Sequence, residues 1–223
     1  DLLCFSLLCR LKQVSATTVF IWYYISPLII LPTFGLGAND ILVATLLILS
    51  IICLKMNKKF FSAVSLSFCI ALKLTSVIFL PFFLLFFIKN ENSKRSFIFF
   101  LLVVFFGIFF LEFSFLFNSN FLTFLQSHPV ANDVFGLSFR LGDYPVFFFP
   151  FFYIFLLFIA FGIKIFKVDM LGVFLALTSV ISIISYPQGL GWICWLLPVF
   201  LCSKLKKGFG QRAAFLTCAL TLF

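Results

Sequence analysis

The stretch FFSAVSLSFCIALKLTSVIFLPFFLLFFI, residues 60–88, decides how this chain is laid out. A helix crosses ~30 Å of hydrocarbon in ~20 residues, so this run is too long for one ordinary span. It carries Lys73 at its middle and Pro81 soon after. It is also bracketed by cations: Lys55, Lys58 and Lys59 before it, Lys89, Lys94 and Arg95 after it. A single crossing would put those two clusters on opposite sides of a membrane, against the tendency of Lys and Arg to stay on the cytoplasmic side. Two arms, 61–73 and 75–88, keep both clusters together. Each arm is then only ~20 Å long at ~1.5 Å per residue. The expectation is a pair of short helices meeting near Lys73, at or just below the outer interface.

The same alternation runs along the whole chain. Further basic clusters stand at Arg10/Lys12, Lys164/Lys167 and Lys204/Lys206/Lys207/Arg212, with apolar runs between them. Spans are expected at 15–34, 40–54, 96–117, 144–163, 170–186 and 190–204, with pieces of two more at 2–9 and 213–223. Cytoplasmic loops then fall near 10–14, 55–60, 89–95, 164–169 and 204–212. Outer loops fall near 35–40, 73–75, 118–143 and 186–191. The fold class this implies is all-α, a polytopic bundle of transmembrane helices, because backbone groups in lipid must be satisfied inside their own segment and no period-two alternation suggests a barrel. Residues 1–223 read as one transmembrane domain with its longest outer loop at 118–143. The opening Asp1-Leu2-Leu3 and the short apolar run 213–223 read as cut ends, the C-terminal portion of a longer chain.

Composition closes off other classes. Hydrophobic residues make up 64% of the chain and charged residues 10%, against about 25% charged in ordinary soluble domains. The net charge of +9 sits at the ends of apolar runs, where membrane topology puts it, so no nucleic-acid partner is expected. Seven Cys are scattered through or beside apolar segments with no CxxC pair, and with one His no zinc site is expected. The 39 Phe suit bulky lipid-facing positions rather than a cofactor box.

The outer loops bring polar residues to one surface: Asn39 and Asp40 at the entrance to a span, Lys73 between the short helices, His128, Asp133, Arg140 and Asp143 in the long loop, and Gln188, Trp192 and Trp195 at the start of a late span. Ionisable groups at membrane depth usually mark a site. A carboxylate with an ammonium and a guanidinium suits a phosphate together with a hydroxylated ligand. Each has a plainer reading beside this one. Asp40 also suits a helix N-cap, Lys73 a snorkelling lysine, Arg140 and Asp143 a mutual pair, His128 a loop histidine, and Trp192 and Trp195 an interfacial belt. Glu112 lies in an apolar run with no partner on the outer loops.

Three segments resemble one family. Ser26-Pro27-Leu28 with Gly37-Ala38-Asn39-Asp40 and the apolar run after it, Ala71-Leu72-Lys73 followed by Pro81, and Pro187-Gln188 with Trp192 and Leu196-Leu197-Pro198 are similar, in order and spacing, to segments of the GT-C-fold glycosyltransferases. The resemblance is to those that use polyprenol-phosphate sugars: glycosyltransferase family 87 and the catalytic subunit of the first glycosylphosphatidylinositol mannosyltransferase. Departures stand at Ala38-Asn39 and at Gly189 and Gly191, so individual donor and acceptor contacts do not transfer.

The resemblance implies a multi-pass hexosyltransferase of the bacterial inner membrane or endoplasmic reticulum. It would be mannosyltransferase-like and inverting, and would move a sugar from a polyprenyl-phosphate donor to a hydroxyl of a glycan or lipid acceptor on the extracytoplasmic face. No cofactor other than that donor is expected, and a divalent metal is left open. The resemblance further implies a catalytic acidic residue, the general base, in a first outer loop upstream of Asp1. In this setting Asn39, Asp40, Lys73, His128, Arg140, Asp143, Gln188 and Trp192 are the candidate substrate-binding residues, with Lys73 and Arg140 facing the leaving phosphate. A transporter, a lipid-linked glycan flippase or polymerase, and a structural membrane subunit are the other classes the composition admits. No internal repeat of the transporter kind is present.

Overall fold

The computed structural model describes residues 40–90, 94–118, 121, 123 and 137–185. The spans expected at 15–34 and 190–204, and the end pieces 2–9 and 213–223, lie outside the described residues. In chain order the elements are α1 (Asp40–Lys55), α2 (Lys59–Leu72), a 3₁₀ helix (Leu74–Phe79), α3 (Leu80–Asn90), α4 (Lys94–Leu116), strands β1 (Ser138–Leu141) and β2 (Tyr144–Phe147), α5 (Phe148–Gly162) and α6 (Val168–Ser185).

The stretch 60–88 divides as its charge pattern predicts. α2 ends at Leu72, and Lys73 is extended, with φ −151° and ψ 101°. The chain resumes as a six-residue 3₁₀ helix that runs into α3. Such a run is longer than most 3₁₀ segments and marks a place where a continuous helix is refused. Two local features favour the refusal. Thr75, Val77 and Ile78 are β-branched and lose side-chain freedom in a helix. Pro81 has no N–H to give and is accommodated in the first turn of α3, where none is needed.

The turn between α1 and α2 is as specific. The Lys58 N–H donates to the Cys53 carbonyl (2.7 Å) and the Asn57 N–H to the Leu54 carbonyl (2.9 Å). Asn57 takes φ +60°. This is a Schellman closure with Asn in the position glycine commonly holds, and it folds α2 tightly back along α1. The α1–α2 seam is lined by small side chains. Ser50 and Ser62 hydroxyls meet at 2.8 Å, the Ser50 hydroxyl donates to the Ser62 carbonyl at 2.9 Å, and the Ser65 hydroxyl donates to the Leu46 carbonyl at 2.7 Å. Small residues let backbones approach, and their hydroxyls then find partners across the seam.

α4 packs on α2 at Gly107. A Cβ built there would lie 2.7 Å from the Ser67 Cβ, so a side chain at this position forces the helices apart. Gly107→Leu is expected to lower the thermal midpoint of the detergent-solubilised protein by an amount equivalent to ~1–3 kcal/mol, the usual cost of overpacking. An unchanged midpoint would mean that the two helices do not meet there.

Contacts fix the direction of each helix. Phe60 and Phe99, at the starts of α2 and α4, have ring centroids 6.3 Å apart. Lys55, closing α1, pairs with Asp169, opening α6, at 3.0 Å. Lys89, closing α3, donates to the Phe161 and Ile163 carbonyls that end α5, and Asn90 donates to the Phe166 carbonyl. The clusters Lys55/Lys58/Lys59, Lys89/Arg95 and Lys164/Lys167 therefore sit at one end of the bundle. The α2–α3 junction sits at the other.

Phe79, Phe82, Phe83, Phe87, Phe100 and Phe166 form the aromatic part of the core. Ser179 and Ser182 of α6 bond their own preceding turn, to the carbonyls of Leu175 (3.0 Å) and Thr178 (2.9 Å). Their hydroxyls are thus satisfied without a partner helix.

The outward faces are apolar too. Phe110, Phe117 and Phe158 are 80%, 78% and 76% exposed. Contiguous exposed apolar surface marks an interaction or membrane-facing region. Two helical segments, Arg95–Phe113 and Val168–Ser185, have the length and apolarity a membrane crossing requires.

The all-helical expectation needs one correction. Residues 138–147, expected as the end of the long loop 118–143 and the first residues of a span 144–163, form an antiparallel hairpin, and α5 starts only at Phe148. Gly142, at φ +64°, holds the first central position of the turn, the arrangement of a two-residue type II′ hairpin. The register pairs Leu141 with Tyr144 and Arg140 with Pro145. Alternation of hydrogen-bonded and non-bonded pairs leaves Pro145 where no N–H is called for.

Candidate functional site

Asp40 opens α1, where the unpaired N–H groups and the helix dipole favour a negative charge. Its side chain is 8% exposed, and its Oδ1 accepts a hydrogen bond from the Lys73 Nζ. The Lys73 side chain is 30% exposed. Thus the two residues, far apart in the chain, form a charge-assisted pair at the end of the bundle remote from the basic clusters. The pair is reached from outside through the lysine, while the carboxylate is held within.

The break that presents Lys73 is braced from below. The Lys73 N–H still donates to the Cys69 carbonyl (3.3 Å), and the Ser76 N–H donates to the Lys73 carbonyl (2.9 Å). The Ser76 hydroxyl, fully buried, donates to the Cys69 carbonyl at 3.0 Å. That carbonyl thus accepts twice, from the Lys73 N–H and from the Ser76 hydroxyl. The Cys69 thiol in turn points at the Val43 carbonyl of α1, 3.6 Å away. Ser76 therefore ties the end of α2 to the start of the 3₁₀ helix, across the residue whose ammonium reaches Asp40. Ser76→Ala is expected to cost ~0.5–1.5 kcal/mol, the net range for one hydrogen bond, because the Cys69 carbonyl keeps the Lys73 N–H. Thermal unfolding in detergent measures it, and a loss within error would remove Ser76 from this role.

Thr75, two residues beyond Lys73, has a buried hydroxyl oxygen with no hydrogen-bond partner. Buried polar atoms are nearly always paired, so this hydroxyl is an exception set beside the junction. Sequence reasoning singled out neither Ser76 nor Thr75. The signal was there in outline: two hydroxyl residues within three positions of a lysine in an apolar run, ahead of a proline.

Arg140 and Asp143 lie on the hairpin, both exposed. Arg140 is on β1 and Asp143 in the turn. They form no ion pair with each other, and neither forms a hydrogen bond or ion pair with Asp40 or Lys73. The hairpin leads into α5, whose Tyr153 hydroxyl donates to the Ile78 carbonyl of the 3₁₀ helix at 2.9 Å. This puts the hairpin at the same end of the bundle as the Asp40–Lys73 pair. Asn39, His128, Asp133, Gln188, Trp192 and Trp195 lie outside the described residues. Glu112 is partly buried near the C-terminal end of α4, with no ion-pair partner among the described residues.

Of the sequence-predicted residues, then, the structure brings Asp40 and Lys73 into contact, and it places Arg140 and Asp143 at their end of the bundle without contact. No curated protein and no solved structure matches the chain. The sequence model of glycosyltransferase family 87 matches residues 2–140, more than half of the chain and a span that takes in α1, the Lys73 junction and Arg140. By that match, this chain, with its carboxylate–ammonium pair at a helix break, belongs to glycosyltransferase family 87.

Proposed function

We propose that this glycosyltransferase is a multi-pass membrane hexosyltransferase, mannosyltransferase-like, that takes its sugar from a polyprenyl-phosphate donor and passes it, with inversion, to an acceptor hydroxyl on the extracytoplasmic side. The observation that carries the reading is the Asp40–Lys73 pair, set at a break between short helices and at the end of the bundle away from the basic clusters. Lysine-rich loops stay in the cytoplasm, which assigns the pair to the outer face.

Sugar transfer from a lipid monophosphate develops negative charge on the departing phosphate oxygen. Fixed cations and donors aimed at that oxygen lower the barrier because they need no reorganisation during the step. Lys73 is the group for this role, with its ammonium held on Asp40 until the donor phosphate arrives. Asp40 orients Lys73 and accepts from sugar hydroxyls, while Arg140 on the exposed hairpin meets the phosphate from the loop side. Asn39, His128, Asp143, Gln188 and Trp192 complete the proposed substrate surface. The donor tail enters sideways from lipid, between helices too short to seal the outer leaflet.

The test uses sealed membrane vesicles containing the protein, with labelled polyprenyl-phosphate hexose or nucleotide-activated hexose as donor. Transfer from the lipid donor, on the face opposite to cysteine-labelling at positions 55 and 92, is the expected result. Transfer from the nucleotide sugar alone, or labelling that puts 55 and 92 on different faces, would overturn the reading.

A further inference from the structure

A second feature lies away from the transferase site. α3 and α5 run in the same direction, joined near the junction by the Tyr153–Ile78 hydrogen bond and at the basic end by Lys89. Between them is an open groove of about 420 Å³ lined by apolar side chains, including Pro81, Leu84 and Ile88 of α3 and Ile154, Phe158 and Phe161 of α5. Each wall advances ~10 Å along its helix at ~1.5 Å per residue, the length of a short run of methylenes.

At the basic end of the bundle the groove runs up to a lysine. Ile88 and Phe161 are its lining residues nearest the basic end, and Lys89 lies directly beyond Ile88, with its ammonium over the Phe161 ring, 5.2 Å from the centroid. Lys164 and Lys167 follow in the segment that leads from the end of α5 to α6. Both are exposed. The C-terminal carbonyls of α5 would repel an anion here, but the Phe161 and Ile163 carbonyls accept from Lys89. The acids among the described residues are Asp40, Glu112, Asp143 and Asp169. Of these Asp169 stands at the basic end, and it is paired to Lys55 at 3.0 Å.

We propose that this groove holds an acyl chain of an anionic phospholipid from the cytoplasmic leaflet, with its headgroup phosphate bound by Lys164 and Lys167. The proposal rests on the membrane reading above, though not on the transfer chemistry. An apolar channel that ends in cations matches one acyl chain with an anionic head. Basic pockets between helices on the cytoplasmic side recognise such heads through the same charge attraction. The bound lipid would fill the space between α3 and α5 and hold them in register below the Lys73 junction.

The test delipidates the full chain in detergent and returns it to vesicles of phosphatidylcholine alone or phosphatidylcholine mixed with phosphatidylglycerol. Lipid retained on the protein is then read by native mass spectrometry. One phosphatidylglycerol per chain, kept with about tenfold preference over phosphatidylcholine, is expected from two lysines near the headgroup. Lys164→Gln with Lys167→Gln should remove the preference while some lipid stays, and Leu84→Trp should block retention of either lipid. Both lysines are exposed, so the first variant keeps its fold.

Equal retention of the two lipids by the unaltered protein would overturn the proposal. So would equal stabilisation by soluble glycerol phosphate, which would make the basic end a free-phosphate site. A disulfide between Phe158→Cys and the native Cys194 or Cys202 would also overturn it, because the chain's own segment would then fill the groove. Alkaline extraction separates the two levels of failure. A protein released from membranes loses the membrane reading and this proposal together, whereas one that stays integral but shows no lipid preference loses this proposal alone.

Discussion

Lys73→Ala in the full-length protein is expected to abolish transfer from the lipid-linked donor while the protein still inserts. Removing one preorganised donor from the place where an oxyanion develops costs ~10²–10³ in rate in well-characterised sites, about 3–4 kcal/mol of barrier. Lys73 supplies a full charge rather than a neutral donor, so a loss of at least about a hundredfold is expected. Initial rates in membranes, normalised to protein level, measure it. Lys73→Arg keeps the charge but spreads it over a planar fork that does not fit the compact contact with Asp40, and an intermediate rate is expected.

The truncation has a side effect that must be separated from the chemistry. It strands the Asp40 carboxylate, which is 8% exposed. Breaking a buried pair from one side typically costs ~3–5 kcal/mol. The double variant Lys73→Ala, Asp40→Asn removes the stranded charge and should recover stability without recovering transfer. Full activity in Lys73→Ala would take Lys73 out of the site.

Asp40→Asn alone is the second large effect, and it reads the other half of the pair. Lys73 is 30% exposed and can turn toward water, so the stability loss should be smaller than for the converse change, about 1–3 kcal/mol. The loss of an anion from the first turn of α1 adds a few tenths of a kcal/mol. Transfer should fall at least about tenfold, mainly through weaker use of the donor, because the ammonium is no longer held where the phosphate arrives. Asp40→Glu keeps the charge and should recover part of the rate. The two single changes and the double change form a cycle, and contact between the partners predicts strong non-additivity. Additive losses in rate would show that the pair does not act as a unit.

The layout of the chain was legible because charge and apolarity are distributed one-dimensionally. The position of Lys73 between two basic clusters was enough to split 60–88 into two arms, and α2 and α3 follow that split with Lys73 as the hinge. Asp40 was legible at the start of a helix, as an N-cap candidate, and the structure sets it in the first turn instead. The hairpin at 138–147 was not. Its Phe147-Phe148-Phe149 run is apolar enough to continue a helix backwards, and only the turn at Gly142, with its cross-strand pairs, stops it. Ser76 and Thr75 were invisible for another reason. A hydroxyl residue in an apolar run is usually satisfied by its own helix, as Ser179 and Ser182 are. Only the 3₁₀ geometry turns Ser76 toward the end of α2 and leaves the Thr75 oxygen unpaired.

By itself the sequence determined which segments are apolar, where the cations collect, and that the run 60–88 is interrupted at Lys73. The cause is local and additive: a charge or a proline acts on its own segment wherever that segment goes. The tertiary structure alone decided that the Lys73 ammonium is spent on Asp40 rather than on Arg140's side of the surface, and that α3 and α5 stand apart by a groove. Those outcomes depend on the serine-lined α1–α2 seam, which the local Asn57 closure sets up, and on the Lys89 clasp, both of which join residues that no spacing along the chain brings together.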